Sequence, residues 1–215
     1  MCDNSEKTKP HIGSDHYYDI TYDSKGRFVS YWHQINEIIS LNPEKVLDIG
    51  IGNGFVSKYL KERGIRIITL DINKRLKPDV VGSVLEIPFA NESFDVVASY
   101  ELLEHLPYED FQKALSEIYR VSNAYAILSL PDRTGKVYKF NVEIPKLWKI
   151  KRLITLPRLK ALKHQFDGEH YWEIGKAGYS IKKIMSDIRN VGFDIRKTYR
   201  VFEWPYHRFF LLRKD

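Results

Sequence analysis

The chain has 215 residues, 43% hydrophobic and 29% charged, with a formal net charge of +6. These values fit one globular domain and exclude a disordered or collagen-like chain. No run approaches the roughly 20 apolar residues of a membrane helix. Met1–Pro10 lacks the apolar core of a secretory signal, and the single cysteine, Cys2, cannot form an internal disulfide or a multi-cysteine metal centre. A cytoplasmic protein is therefore expected.

In chain order, residues 1–15 are polar and expected to be mobile. Residues 16–41 are aromatic-rich: Tyr17, Tyr18, Tyr22, Phe28, Tyr31 and Trp32 lead into Ile35, Ile38 and Ile39 at helical spacing. Residues 1–41 are thus expected to form an aromatic N-terminal lid and helix. From Lys45 onward, strands and helices alternate. Strands are expected at Val46–Ile49, Arg66–Leu70, Val80–Val81, Phe94–Ser99 and Tyr125–Leu130. Helices are expected at Gly54–Arg63 and Glu109–Val121. Such alternation demands right-handed crossovers and a parallel sheet covered on both faces. Only seven residues separate Asp71 from Asp79, too few for a crossover helix, so a short turn must replace it there.

Residues 133–178 break the rhythm. Lysines and arginines from Lys146 to Lys163 are interleaved with Leu147, Trp148, Ile150, Leu153, Ile154 and Leu159, which reads as a basic, partly helical lid insert. Ser180–Asn190 follows as a helix with Ser180 as N-cap. Phe193–Arg200 and His207–Leu212 close the chain as an antiparallel pair. The expected architecture is one domain over 1–215: a doubly wound, mostly parallel, seven-stranded Rossmann-like sheet with a C-terminal antiparallel strand and a helical lid.

The most informative segment is Asp48-Ile-Gly50-Ile-Gly52-Asn-Gly54-Phe55. A strand runs into a glycine-rich turn and then a helix, whose free N–H groups and positive dipole end suit an anion. A dinucleotide site wants its third glycine one position later. Asp48 at the strand end would repel a pyrophosphate and suits a ligand carrying an ammonium group. Asp71 ends the second strand, where a carboxylate can accept two ribose hydroxyls.

Together these residues resemble the first motifs of class I S-adenosylmethionine (SAM)-dependent methyltransferases. The resemblance extends over residues 43–132 through Val81-Gly-Ser83-Val84, Leu85-Glu-Ile-Pro88, Ser93-Phe-Asp95 and Tyr100-Glu101-Leu-Leu-Glu104-His105. It implies SAM as cofactor, cradled by Gly50, Gly52 and Gly54. Asp48 and Asp71 would position the ligand, Ile72 would pack on the adenine, and Ser83 and Val84 would lie at the adenine edge. Ser83 stands where the family often has Asp.

Transfer from a sulfonium is a direct displacement that needs chiefly alignment, with a general base as an aid. His105 is the first candidate base, Glu101 and Glu104 are alternatives, and Tyr100 is placed beside the methyl group. Tyr18, His170 and Tyr171 are candidate acceptor contacts, and the N-terminal stretch offers Tyr17, Tyr18, Tyr22 or Arg27 to the acceptor or the SAM carboxylate. His164, Glu169, His170 and Glu173 lack a defined ligand spacing, so no metal is expected. A small molecule is the favoured acceptor. RNA or protein acceptors and a non-catalytic SAM-binding module are the alternatives, and a peripheral membrane contact through the basic insert is left open. The oligomeric state is not legible.

Overall fold

The computed structural model describes residues 14–214 apart from Leu147 and Leu159. The mobility expected of residues 1–13 and the roles of those two leucines lie outside the described residues. The apolar runs read as strands become β1 (Lys45–Ile49), β2 (Arg66–Asp71), β3 (Val80–Val81), β4 (Phe94–Tyr100) and β5 (Ser122–Pro131). The helices are α1 (Lys25–Ser40), α2 (Phe55–Glu62), α3 (Tyr108–Val121) and α4 (Ile181–Asn190). Ser24 and Ser180 cap α1 and α4, each accepting a backbone N–H three residues on, which satisfies one of the free donors of a helix start.

Seven strands form one sheet in the order β3-β2-β1-β4-β5-β9-β8, where β8 is Phe193–Arg200 and β9 is His207–Lys214. The first five are mutually parallel. β9 runs antiparallel between β5 and β8. Successive residues point to opposite faces of a strand, so each central strand feeds two cores. Leu47, Val97 and Leu128 pack with Phe111, Ile118 and Ile188 of α3 and α4. Val46, Val96 and Ile127 pack with Ile38, Val56 and Leu60 of α1 and α2. This double burial explains why the strands read as near-continuous apolar runs. As the spacing predicts, β2 and β3 are joined through a single 3₁₀ turn, Lys74–Leu76, capped by Asn73.

The insert departs from expectation. The described residues of 133–178 contain no helix; β6 (Lys136–Ile144) and β7 (Trp148–Leu156) form an antiparallel ribbon, followed by an irregular stretch. The helical reading fails because Tyr138, Phe140, Val142 and Ile144, and likewise Trp148, Ile150 and Ile154, fall on even positions and are β-branched or aromatic, which favours strands. The register sets Tyr138 opposite Ile154, Phe140 opposite Arg152 and Ile144 opposite Trp148, and these residues share one ribbon face with Ile150. The six apolar side chains among them, Tyr138, Phe140, Ile144, Trp148, Ile150 and Ile154, are exposed.

Few contacts tie the ribbon to the sheet. Lys139 donates to the Glu203 carbonyl at 2.6 Å, and Lys151 pairs with the Glu203 carboxylate at 2.8 Å. Gly135 starts the ribbon at φ +64°, and a Cβ there would stand 2.3 Å from the Leu156 carbonyl oxygen, so the position requires glycine. Among the described residues no helix is long and apolar enough to cross a membrane.

Candidate active site

The candidate residues gather at the carboxyl ends of β1, β2 and β4, where open α/β sheets bind ligands. Gly50, Gly52 and Gly54 all adopt positive φ, +79°, +52° and +71°, which a side chain would disfavour. Gly54 caps α2 in a left-handed conformation. Asp71 stands against this loop: one carboxylate oxygen accepts the Ile51 N–H at 3.0 Å, the other the Asn73 N–H at 2.7 Å. A carboxylate offers about four lone-pair sites, so both oxygens keep capacity for hydroxyl donors. Burial raises the Asp71 pKa, against the lowering by those two backbone N–H groups.

Asp48 is buried beneath the loop and accepts a hydrogen bond from Ser57 of α2. Burial pushes its pKa up to about 6; the Ser57 hydroxyl lowers it and the neighbouring Asp71 charge raises it. Ile72 is 63% exposed and free to pack on a flat ligand. The Ser83 hydroxyl accepts the Leu85 N–H at 3.1 Å. The Val84 side chain lies in the core, which leaves only its backbone for a ligand. A groove of about 810 Å³ opens from Val81 and Gly82 toward Lys113 and Arg120 of α3. Its Arg120 is already consumed by Glu117 and the Ile87 and Phe89 carbonyls.

The N-terminal segment covers the loop through two of its three candidate tyrosines. Tyr18 is 63% exposed. Tyr17 and Tyr22 instead meet the loop, each within 3.6 Å of where a Cβ on Gly52 would stand, and pack edge-on at 5.3 Å. In a tight 3₁₀ turn, adjacent residues point in different directions. Arg27, in the first turn of α1, donates to the Tyr22 carbonyl at 2.9 Å and stacks over the Tyr22 ring. Its charge is felt at Tyr17, Glu101 and His207.

Beyond β4 the chain turns sharply, with Glu101 at φ +46°, a strained conformation for a residue with a side chain. Its N–H is held by Ser129. The largely buried Glu101 carboxyl lies 3.6 Å from His207 Nε2, and its Oε1 has no hydrogen-bond partner. Burial raises its pKa to about 7, against the lowering by Ser129, His170 and Arg27. His207 bonds Ser30 at 2.8 Å through Nδ1, and burial lowers its pKa to about 3, so it is neutral near pH 7. Tyr100 packs near Phe209 in the α1-side core; its buried hydroxyl has no partner, and burial holds its pKa well above 10. It can donate a hydrogen bond but cannot serve as a base at neutral pH.

His105 lies in the 3₁₀ turn Leu103–His105 with Nδ1 2.9 Å from the Glu169 carbonyl. Burial and then the nearby His170 lower its pKa. The His170 ring packs edge-on against it at 4.9 Å. Burial alone would lower the His170 pKa, but Glu173, Asp167 and Glu101 raise it overall. Glu173 sits at about 2: burial opposes ionisation, and His170, Tyr206 and Arg133 outweigh it. Tyr171 packs on Phe166 and donates its N–H to the Glu104 carbonyl. Trp172 is fully buried, its indole N–H on the Leu106 carbonyl. His164 binds the His170 carbonyl.

The structure therefore joins Glu101 and Arg27 to residues that the sequence reading left out of the site. These are His207 and Tyr206, at the turn between β8 and β9. Neither has a sequence signal, because β9 reaches the site only by inserting beside β5.

Residues 47–129 match the family model described as a methyltransferase domain. Over 88 residues the chain is 35% identical to a ubiquinone biosynthesis O-methyltransferase of Stutzerimonas stutzeri, covering 34% of this chain and 38% of that protein. Over 146 residues it is 32% identical to a demethylmenaquinone methyltransferase of Thermotoga maritima, covering 55% and 63%. The chain thus spans less than two thirds of the length of these curated relatives. The structure of a magnesium protoporphyrin IX methyltransferase from Synechocystis PCC 6803, solved with bound SAM, shares its fold at a TM-score of 0.63 and 14% identity, covering 99% of this chain and all of that one. The match to a methyltransferase domain thus spans residues 47–129, and the chain as a whole has the fold of a class I SAM-dependent methyltransferase.

Proposed function

We propose that the protein transfers a methyl group from SAM to a small-molecule acceptor presented at an anionic membrane surface. The observation that carries the cofactor reading is the three-glycine loop beside Asp71, whose oxygens keep free lone pairs. In this reading Asp71 accepts the ribose hydroxyls and Ile72 packs on the adenine. The Ser83–Val84 backbone borders the ring edge. Arg27 and the amides at the start of α2 take the carboxylate, and Asp48 supplies negative charge near the ammonium group.

The acceptor atom attacks the methyl carbon in line with the sulfur. The sulfur–methyl bond breaks with its electron pair returning to sulfur, and the acceptor's proton passes to Glu101. We assign the base to Glu101 rather than His105 because its Oε1 has no hydrogen-bond partner and is free to accept a proton, and burial raises its pKa. His105 already uses Nδ1 on a backbone carbonyl, and its environment lowers its basicity.

The small-molecule reading is supported by the relatives named for ubiquinone and demethylmenaquinone chemistry. The membrane part rests on the ribbon: an exposed apolar face with Trp148 near the tip and Arg152 on it, flanked by Lys136, while Lys139 and Lys151 are held by Glu203 and Lys149 by Glu143. Apolar residues rimmed by cations match an interface with anionic lipid.

Calorimetric titration with SAM, with its demethylated product and with NAD as control tests the cofactor reading. Saturable SAM binding that is lost in Asp71→Ala and absent for NAD is expected; no SAM binding by folded protein overturns the reading. Flotation with vesicles containing phosphatidylserine tests the surface. Binding that disappears in a Trp148→Ser/Ile150→Ser variant supports the membrane. Salt-sensitive RNA binding with no flotation would replace it with a nucleic-acid partner.

A further inference from the structure

Two distant stretches bring three metal-ligating side chains together. Glu104 and His105 come from the 3₁₀ turn after β4, and His170 from the irregular segment before α4. One ligand atom from each lies within 4.8 Å of the other two. Glu104 is fully buried, and neither of its carboxylate oxygens has a hydrogen-bond partner. An unpaired buried carboxylate is costly and calls for an explanation, of which a bound ion is one.

The imidazoles supply an independent observation. His105 has Nδ1 on the Glu169 carbonyl. His170 has Nδ1 3.4 Å from Glu173 Oε1 and 3.3 Å from the Tyr206 hydroxyl. With the proton on Nδ1 in each ring, Nε2 keeps its lone pair. Anchoring one nitrogen on a carbonyl or carboxylate is how proteins orient the other toward a metal. Glu173 is itself fixed by Tyr206 and faces Arg133 at 3.5 Å.

We propose that Glu104, His105 and His170 bind one divalent transition-metal ion, Zn²⁺ or Mn²⁺. Two imidazole nitrogens and one carboxylate select such an ion over Mg²⁺ or Ca²⁺, which prefer oxygen ligands. Ligands about 2.1 Å from a metal stand roughly 3–4 Å apart, so small side-chain movements close the triad. The ion also offsets the adjoining carboxyls of Glu104 and Glu101, since each has an unpartnered oxygen. This replaces the metal-free site expected from sequence, which had grouped His170 with His164, Glu169 and Glu173.

Three protein ligands leave coordination positions open for substrate. Resting on the methyltransferase reading, the open positions take an acceptor oxygen, which narrows the acceptor to a hydroxyl or carboxylic acid. The acceptor O–H proton goes to Glu101, the O–CH₃ bond forms, and the S–CH₃ bond breaks with its electron pair on sulfur.

The test is equilibrium dialysis of the chelator-stripped full chain against Zn²⁺ or Mn²⁺, with elemental analysis and thermal melts, and Ca²⁺ as comparison. One retained equivalent of Zn²⁺ or Mn²⁺ and a raised Tm are expected, with affinity reduced at least tenfold in both His170→Ala and Glu104→Gln. Circular dichroism establishes that each variant is folded, and His170 on its irregular segment is the safer change. SAM titration of the metal-free protein runs in parallel. Asp71→Ala is expected to lose SAM and keep the metal, so failure of the cofactor reading is distinguishable from failure of this one. No uptake by the folded wild type, or undiminished uptake by folded His170→Ala, overturns the proposal.

Discussion

The seven-stranded sheet and the β6–β7 ribbon spend the same residue types in opposite ways. In the sheet, apolar residues on both faces of β1, β4 and β5 are buried under four helices. In the ribbon, the alternation is equally regular, yet the apolar face meets solvent. Burial drives folding at roughly 25 cal/mol per Å² of apolar area; the sheet gains that term, whereas the ribbon forgoes most of it. A two-stranded ribbon is marginal by itself. Stability thus resides in the sheet, and the ribbon can be altered without disturbing it.

The largest expected contrast is in stability. Phe111, fully buried between α3 and the sheet, should cost about 3–5 kcal/mol when replaced by alanine. Phe140→Ala on the exposed ribbon face should stay within about 0.5 kcal/mol. Denaturant melts of the two variants measure this, and a comparable loss at Phe140 would mean the ribbon belongs to the folding core.

Cofactor affinity comes next. Asp71→Ala removes hydrogen bonds to a charged acceptor, each worth about 1.5–3 kcal/mol, so SAM binding should weaken at least about tenfold. Replacing residues 136–156 by a short glycine link should leave SAM affinity within about twofold. A large loss on ribbon removal would merge the two regions functionally.

The pH response should be confined to the sheet side. Asp48, facing Ser57, Asp71 and Lys61, has a pKa raised to about 6 from 3.8. A raised carboxyl pKa contributes stability that is present below about 4 and lost as pH rises through 6. The Tm of the ligand-free protein should therefore carry a downward slope there that Asp48→Asn removes. SAM affinity should run the other way, rising through pH 6 as the carboxylate ionises to meet the ammonium group. A SAM affinity flat between pH 5 and 7 would remove Asp48 from the binding site.

The smallest effect concerns the joint between the regions. Glu203 pairs with Lys151 at the surface, and exposed ion pairs are worth at most about 1 kcal/mol. Glu203→Ala should leave the global melt nearly unchanged and speed amide exchange in β6 and β7 alone.

Most of the sheet was legible because its signals are local. Strand runs, the Ser180 cap, the glycine turn at 50–54 and the short link after Asp71 each depend on neighbours within about ten residues. The helical lid was misread because lysines and arginines between the apolar residues hid an alternation of period two. Among the N-terminal tyrosines, which of them meets the loop was not legible: the turn aims Tyr17 at Gly52 and leaves Tyr18 exposed.

By itself the sequence determined the two-sided sheet, the loop conformation that only glycine adopts easily, and the acidic residue closing β2. Backbone sterics and the burial of apolar faces act along the chain and leave a period in it. Tertiary structure alone decided that His170 meets Glu104 and His105, that His207 faces Glu101, and that the ribbon's apolar side stays uncovered. Those outcomes depend on where β9 inserts and how the irregular segment returns over β4. Contacts between residues about 65 or 100 positions apart leave no periodic trace in a single chain.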